Sequence, residues 1–236
     1  MNYPFLIFFG LAPSIIWLFF YLGKDSLPES NRDIIKVFLF GMVMAVPACF
    51  IELGMIEEIS SSFQFNPLLG TFLVYFLGVA FTEEVFKYLV VKIRVFFHHS
   101  FDEPVDAMIY MIISALGFAA AENMLYLFSK QGFFDFFAAS WIRFIGATFL
   151  HALCSGTLGY FLALSFCCPE KGKKLVFTGF LTVISLHGLY DLFIMKTEGT
   201  LQLIGPAIVL VILAVFVFYG FEKLKKLKSV CYLLKK

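Results

Sequence analysis

The sequence predicts an all-α, polytopic membrane bundle in which about seven transmembrane helices enclose an intramembrane polar cavity. Three observations predict it. Of the 236 residues, 61% are hydrophobic and only 15% charged, with a mean hydropathy of +0.89; a soluble domain is roughly half apolar and a quarter charged. Apolar runs of the ~20 residues needed to cross a hydrocarbon core recur between polar breaks along the whole chain. Finally, ionisable residues persist inside those runs. The net charge of +1 gives no case for nucleic acid as a partner, and the lipid bilayer is the expected surroundings.

The predicted spans are 3–22, 34–54, 67–92, 105–128, 141–166, 175–195 and 200–220. The first, PFLIFFGLAPSIIWLFFYL, has no basic region ahead of it and is too long for a cleaved signal, so it is expected to be retained. GKDSLPESNRD divides it from the second span, and MIEEISSSFQFN closes that one. The third begins as PLLGTFLVYFLGVA and continues into FTEEVFKYLVVK, ending at the HHSFDEP region. The fourth contains GFAAAEN. SKQGFFDFF follows, and FFDFFAAS is read as a short amphipathic interfacial piece ahead of the fifth span. CCPEKGKK and KTEGT bracket the sixth, and the seventh leads into the basic tail of about 221–236. The chain has no internal repeat. One integral membrane domain, 1–236, is expected, with its motif-bearing core at about 67–195.

Lys and Arg set the orientation. Lys24, Arg32, Lys36, Lys92, Arg94, Lys171, Lys173, Lys174 and six tail lysines fall on one side, against Lys130, Arg143 and Lys196 on the other. That asymmetry puts the N-terminus outside and the C-terminus in the cytoplasm. The five cysteines, Cys49, Cys154, Cys167, Cys168 and Cys231, match no zinc spacing and suggest no disulfide framework.

Function is expected where charge stays in the membrane. Glu83, Glu84 and Lys87 fall in the third span, Glu122 and Asn123 in the fourth, His151 and Ser155 in the fifth, and His187 and Asp191 in the sixth. A charge near the bilayer centre costs at least ~2.5–3.5 kcal/mol, so such groups face one another or water inside the bundle. Lys87 is four residues from Glu83 and three from Glu84, which puts all three on one helical face. His187 and Asp191 are also four apart, so the carboxylate can orient the imidazole. Gly117, Ala119 to Ala121, Ser155, Gly156 and Gly159 permit close helix approach beside these groups.

Four kinds of chemistry suit such a cluster. A carboxylate in an apolar site can act as general base for water, with a His or Asn donating to the oxyanion. Zinc held by Glu122, His151, His187 and Asp191 could activate the water instead. Carboxylates and histidines also line proton or ion pathways in transporters. A polar network could also serve only to fasten helices, as in a membrane scaffold. Serine chemistry is disfavoured: Ser155 lies one turn beyond His151, but no GxSxG elbow is present. His98 and His99, beside Asp102 and Glu103, read as a surface pair.

The order of motifs EEVFK (Glu83 to Lys87), GFAAAEN (Gly117 to Asn123), His151 with its small followers and HGLYD (His187 to Asp191) resembles the PrsW family of intramembrane proteases. That family looks like a distant relative of the type II CAAX prenyl endopeptidases and of the Aph subunit of gamma-secretase. The resemblance implies a multi-pass protein of the bacterial cell membrane that hydrolyses a peptide bond of a membrane-anchored protein. It implies a single-span anti-sigma factor as substrate, cut at site 1 to start an envelope-stress response. By the same resemblance Glu83 is the base, Glu84 is positioned against Lys87, and His187 faces the oxyanion, with Asp191 where the CAAX enzymes carry Asn. Glu122 stands where those enzymes carry a His, and His151 completes the site.

Overall fold

The structure is a computed structural model that describes residues 3–24, 29–94, 103–130 and 132–233; His98 and His99 lie outside them. Backbone polar groups in lipid must be satisfied within the segment itself, which leaves helices as the economical way for this chain to cross. The helices are α1 (Tyr3–Leu22), α2 (Asn31–Ser62), α3 (Pro67–Leu73), α4 (Thr82–Arg94), α5 (Asp106–Leu127), α6 (Phe133–Ile145), α7 (Ala147–Cys167), α8 (Gly172–Lys196) and α9 (Thr200–Leu233). Among the described residues there is no strand, and seven helical segments are long and apolar enough to cross a membrane. The protein is therefore a multi-pass membrane protein.

Helices α5 and α7 form the centre. Every residue of α5 from Asp106 to Ala121 and every residue of α7 from Leu150 to Tyr160 is buried. Small residues make this possible. A Cβ on Gly117 would stand 2.0 Å from the Phe38 carbonyl oxygen, and one on Gly41 would stand 2.2 Å from that of Ser114, so α2 and α5 touch backbone to backbone. Without a hydrophobic drive between helices in lipid, such contacts supply the dispersion that holds a bundle. The outer helices α1, α2, α8 and α9 bury one stripe and present Phe19, Phe50, Phe177 and Val211 to lipid. On α1, Trp17 stacks on Phe149 with ring centroids 4.2 Å apart, and its Nε1 donates to the Phe144 carbonyl at 2.9 Å.

Three departures from the sequence expectation bear on function. Helix α2 continues to Ser62, eight residues past its expected end, so Glu52 lies well inside it. The third span runs unbroken from Pro67 to Arg94, yet residues Val74–Phe81 are wound as a π-helix directly before the double-Glu pair. Such turns appear mostly at functional sites. The fifth span is broken at Gly146 (φ −95°, ψ −99°), where only glycine fits, since a Cβ would meet the Tyr190 hydroxyl at 2.6 Å. The piece ahead of the break is a separate helix, α6, and Ser140 Oγ donates to the Phe9 carbonyl at 2.7 Å, docking α6 on α1. Among the cysteines, Cys49, Cys154 and Cys168 are free. Cys167 is disulfide-bonded, which an odd cysteine count without a repeated spacing gave no reason to expect.

Candidate active site

Helix α4 delivers the first three groups as its spacing requires. Lys87 Nζ donates to Glu83 Oε2 at 3.0 Å and to Glu84 Oε1 at 2.8 Å. Lys87 and Glu84 have no solvent exposure, and Glu83 is 4% exposed. The ring of Phe118 lies 4.9 Å from Nζ and adds its face to the cation's surroundings. Ser114 Oγ donates to the Lys87 carbonyl at 2.9 Å, pinning α4 to α5 at this level.

Two histidines close the cluster from other helices. His151 on α7 places Nδ1 2.6 Å from Lys87 Nζ and Nε2 2.8 Å from Glu122 Oε2. An ammonium can only donate, so Nδ1 is the acceptor and the ring proton on Nε2 goes to Glu122. His187 on α8 places Nδ1 2.9 Å from Glu84 Oε1, while its Nε2 is 3.6 Å from both Glu83 Oε2 and Asp191 Oδ2. Glu84 is thus held twice on Oε1, by Lys87 and His187, while Ser155 Oγ lies 3.5 Å from its Oε2. Among the described residues, Glu83 is engaged through Oε2 by Lys87 alone within 3.0 Å, with His151 Nδ1 at 3.5 Å. Of the pair, Glu84 is the anchored carboxylate and Glu83 the one with capacity to spare.

Glu122 and Asn123 meet a residue that the sequence placed elsewhere. Arg143 of α6 bonds Glu122 Oε2 through Nη2 at 3.2 Å and Asn123 Oδ1 through Nε. Asn123 Nδ2 donates to Thr148 Oγ1 at 3.0 Å and to the Gly10 carbonyl at 3.3 Å, tying α1, α5 and α7 together. All eight sequence-predicted residues, Glu83, Glu84, Lys87, Glu122, Asn123, His151, His187 and Asp191, therefore belong to one connected set. Arg143 is the addition.

Residues 29–221 match the family described as "PrsW family intramembrane metalloprotease". The chain belongs to that family. It is 32% identical to Protease PrsW of Oceanobacillus iheyensis over 83% of this chain and 85% of the relative. It is 30% identical to Protease PrsW of Bacillus subtilis over 94% of each chain, and 30% identical to that of Geobacillus kaustophilus over 82% of this chain and 81% of the relative. No solved structure matches significantly. Membership of the PrsW family makes the protein an intramembrane protease of the bacterial cell membrane.

The family description implies a metal, and the site can be tested for it. Glu83, Glu84, His151 and His187 each offer a ligand atom, all within 4.8 Å of one another. Imidazole nitrogens and carboxylate oxygens are zinc ligands, and a catalytic ion takes three such groups and leaves its fourth position to water. The donor set fits in kind and spacing, sharing His151 and His187 with the set expected from sequence. Glu122 and Asp191 instead stand behind those histidines, at 2.8 and 3.6 Å, where carboxylates fix ring orientation. The Lys87 ammonium lies among the same donors, so a divalent ion would displace it.

Proposed function

We propose that the protein hydrolyses a peptide bond of a single-span anti-sigma factor near its extracytoplasmic boundary, at site 1 of an envelope-stress cascade, with Glu83 as the base for the attacking water. The observation that carries this mechanism is the place of the Lys87 ammonium, 3.0, 2.8 and 2.6 Å from Glu83, Glu84 and His151. An internal cation there offsets one of the two carboxylate charges. It also keeps the pair close enough to act as a unit.

In this mechanism Glu83 takes a proton from water as the oxygen attacks the carbonyl carbon, and passes it to the leaving nitrogen, so that one water divides between a new carboxylate and a new amine. His187, gripped at Nδ1 by Glu84, presents Nε2 towards the same space. In its charged form it donates to the oxyanion as the carbonyl becomes tetrahedral. Asp191 steadies that charge from the next turn of α8. His151, oriented by Glu122 and Arg143, holds Lys87 in place.

The donor set within 4.8 Å supports a second reading, in which His151, His187 and one carboxylate of the Glu83–Glu84 pair would hold zinc, with the other carboxylate facing its water. Zinc in such a site lowers the pKa of a bound water towards ~7. Cleavage of a panel of single-span anti-sigma factors by purified protein in detergent tests both readings. Activity that is lost in Glu83→Gln and resists a strong zinc chelator supports the glutamate mechanism. Activity that falls with chelator and returns with zinc supports the metal. Normal cleavage by folded Glu83→Gln would sink both.

A further inference from the structure

Glu52 is a carboxyl group in the middle of an apolar helix with no evident reason to be there. Its Oε1 is buried and has no hydrogen-bond partner among the described residues. A buried polar atom left unsatisfied costs about 1–3 kcal/mol, and calls for an explanation. Its position supplies one. Met55, one turn further along α2, receives the hydroxyl of Thr82 at 3.8 Å, and Thr82 is the residue before Glu83. This stripe of α2 therefore packs against the start of α4. Gly78 of the π-helical segment faces the same stripe, since a Cβ there would stand 3.8 Å from Met55 Cβ.

The same stripe leads outwards. Ile56 and Ser60, each four residues further on, line a pocket of about 300 Å³ together with Thr71, Tyr75 and Lys196. The pocket between α2, α3 with its π-helical extension and the end of α8 thus continues the stripe of α2 that carries Glu52.

We propose that Glu52 is a substrate-contacting residue: its free oxygen accepts a backbone N–H of an extended peptide segment lying between this pocket and Glu83. A transmembrane substrate has to unwind before its peptide bond can be attacked, and each N–H freed from the helix needs an acceptor that the bilayer cannot give. Glu52 provides one next to the scissile bond. The assignment rests on the protease reading above, and it adds a residue that touches the substrate away from the water.

The test uses the full-length protein in detergent and a single-span anti-sigma factor cleaved by wild type. Glu52→Leu removes the acceptor and Glu52→Gln keeps a carbonyl oxygen. We expect Glu52→Leu to raise KM about tenfold with kcat within about twofold, and Glu52→Gln to restore KM to within about threefold. The thermal midpoint of Glu52→Leu should equal or exceed that of wild type, since an apolar isostere removes an unsatisfied group. In a Cys49→Ala, Glu83→Gln background, Glu52→Cys should form a disulfide with substrate cysteines close to the cleaved bond. Wild-type cleavage with an unchanged KM in Glu52→Leu overturns the assignment alone. So does a joint loss of kcat and thermal stability in both variants, which marks a structural role. A wild type that cleaves no anti-sigma factor removes the substrate reading and this assignment together.

Discussion

Lys87→Met is the sharpest perturbation the site offers, because it removes a fully buried cation and keeps the length of its stem. At 3.0 and 2.8 Å and an effective permittivity of ~20, each ion pair is worth about 6 kcal/mol of Coulomb attraction. Most of that is offset by the hydration the three charges gave up. Breaking a buried pair by removing one partner costs about 3–5 kcal/mol, since the surviving charges are left uncompensated. For a chain of this length, that lowers the thermal midpoint by about 10 °C. Unfolding can be followed in detergent by thiol labelling of Cys154, which is free and buried. Lys87→Met combined with Glu84→Gln should recover at least half of the loss, because the second change removes one of the stranded charges. If the double variant is no more stable than the sum of its single changes predicts, Lys87 does not hold the carboxylates together and the internal-cation argument fails.

Further outcomes follow from the same geometry. Zinc added to Lys87→Met should raise its midpoint more than it raises that of wild type, since the donors then lack their ammonium; equal shifts in a thermal titration would count against the donor set. Arg143→Lys should behave nearly as Arg143→Leu does, both losing more than half of the cleavage rate, because a single ammonium cannot bridge Glu122 and Asn123 as the guanidinium does; full activity in Arg143→Lys would show that charge alone matters. Gly117→Ala should destabilise the protein by at least ~3 kcal/mol, its methyl having nowhere to go beside the Phe38 carbonyl, whereas Gly54→Ala, with nothing within 4 Å, should leave the thermal midpoint unchanged. Ser155→Ala should keep at least a third of the wild-type rate, as its hydroxyl only brushes Glu84 at 3.5 Å; complete loss would reopen serine chemistry.

The sequence was most informative where one helix carries the whole argument. The contacts of Lys87 with Glu83 and Glu84, and of Asp191 with His187, follow from spacings of three or four residues. Contacts between helices were legible only as a shared depth. Nothing in the sequence says that His151 Nδ1 faces Lys87 while Nε2 faces Glu122. Arg143 was hidden because a cation beside an expected span boundary reads as a topology marker, and the true break lies three residues later, at Gly146. Glu52 was hidden by the acidic run that follows it, Glu57 and Glu58, which draws the apparent helix end too early. The overlooked signal was a lone carboxylate within an otherwise apolar stretch.

The grouping of Lys87 with both its carboxylate partners on one helix bears on how the protein is made. A span carrying three isolated charges would be a poor candidate for insertion. Here the ion pairs close as soon as α4 itself forms, at spacings that need no other part of the chain. During biogenesis the segment presents one net negative charge to the hydrocarbon instead of three separate ones. His151 and His187, which arrive on helices synthesised later, then meet a cluster that is already organised, so the bundle assembles around its reaction centre.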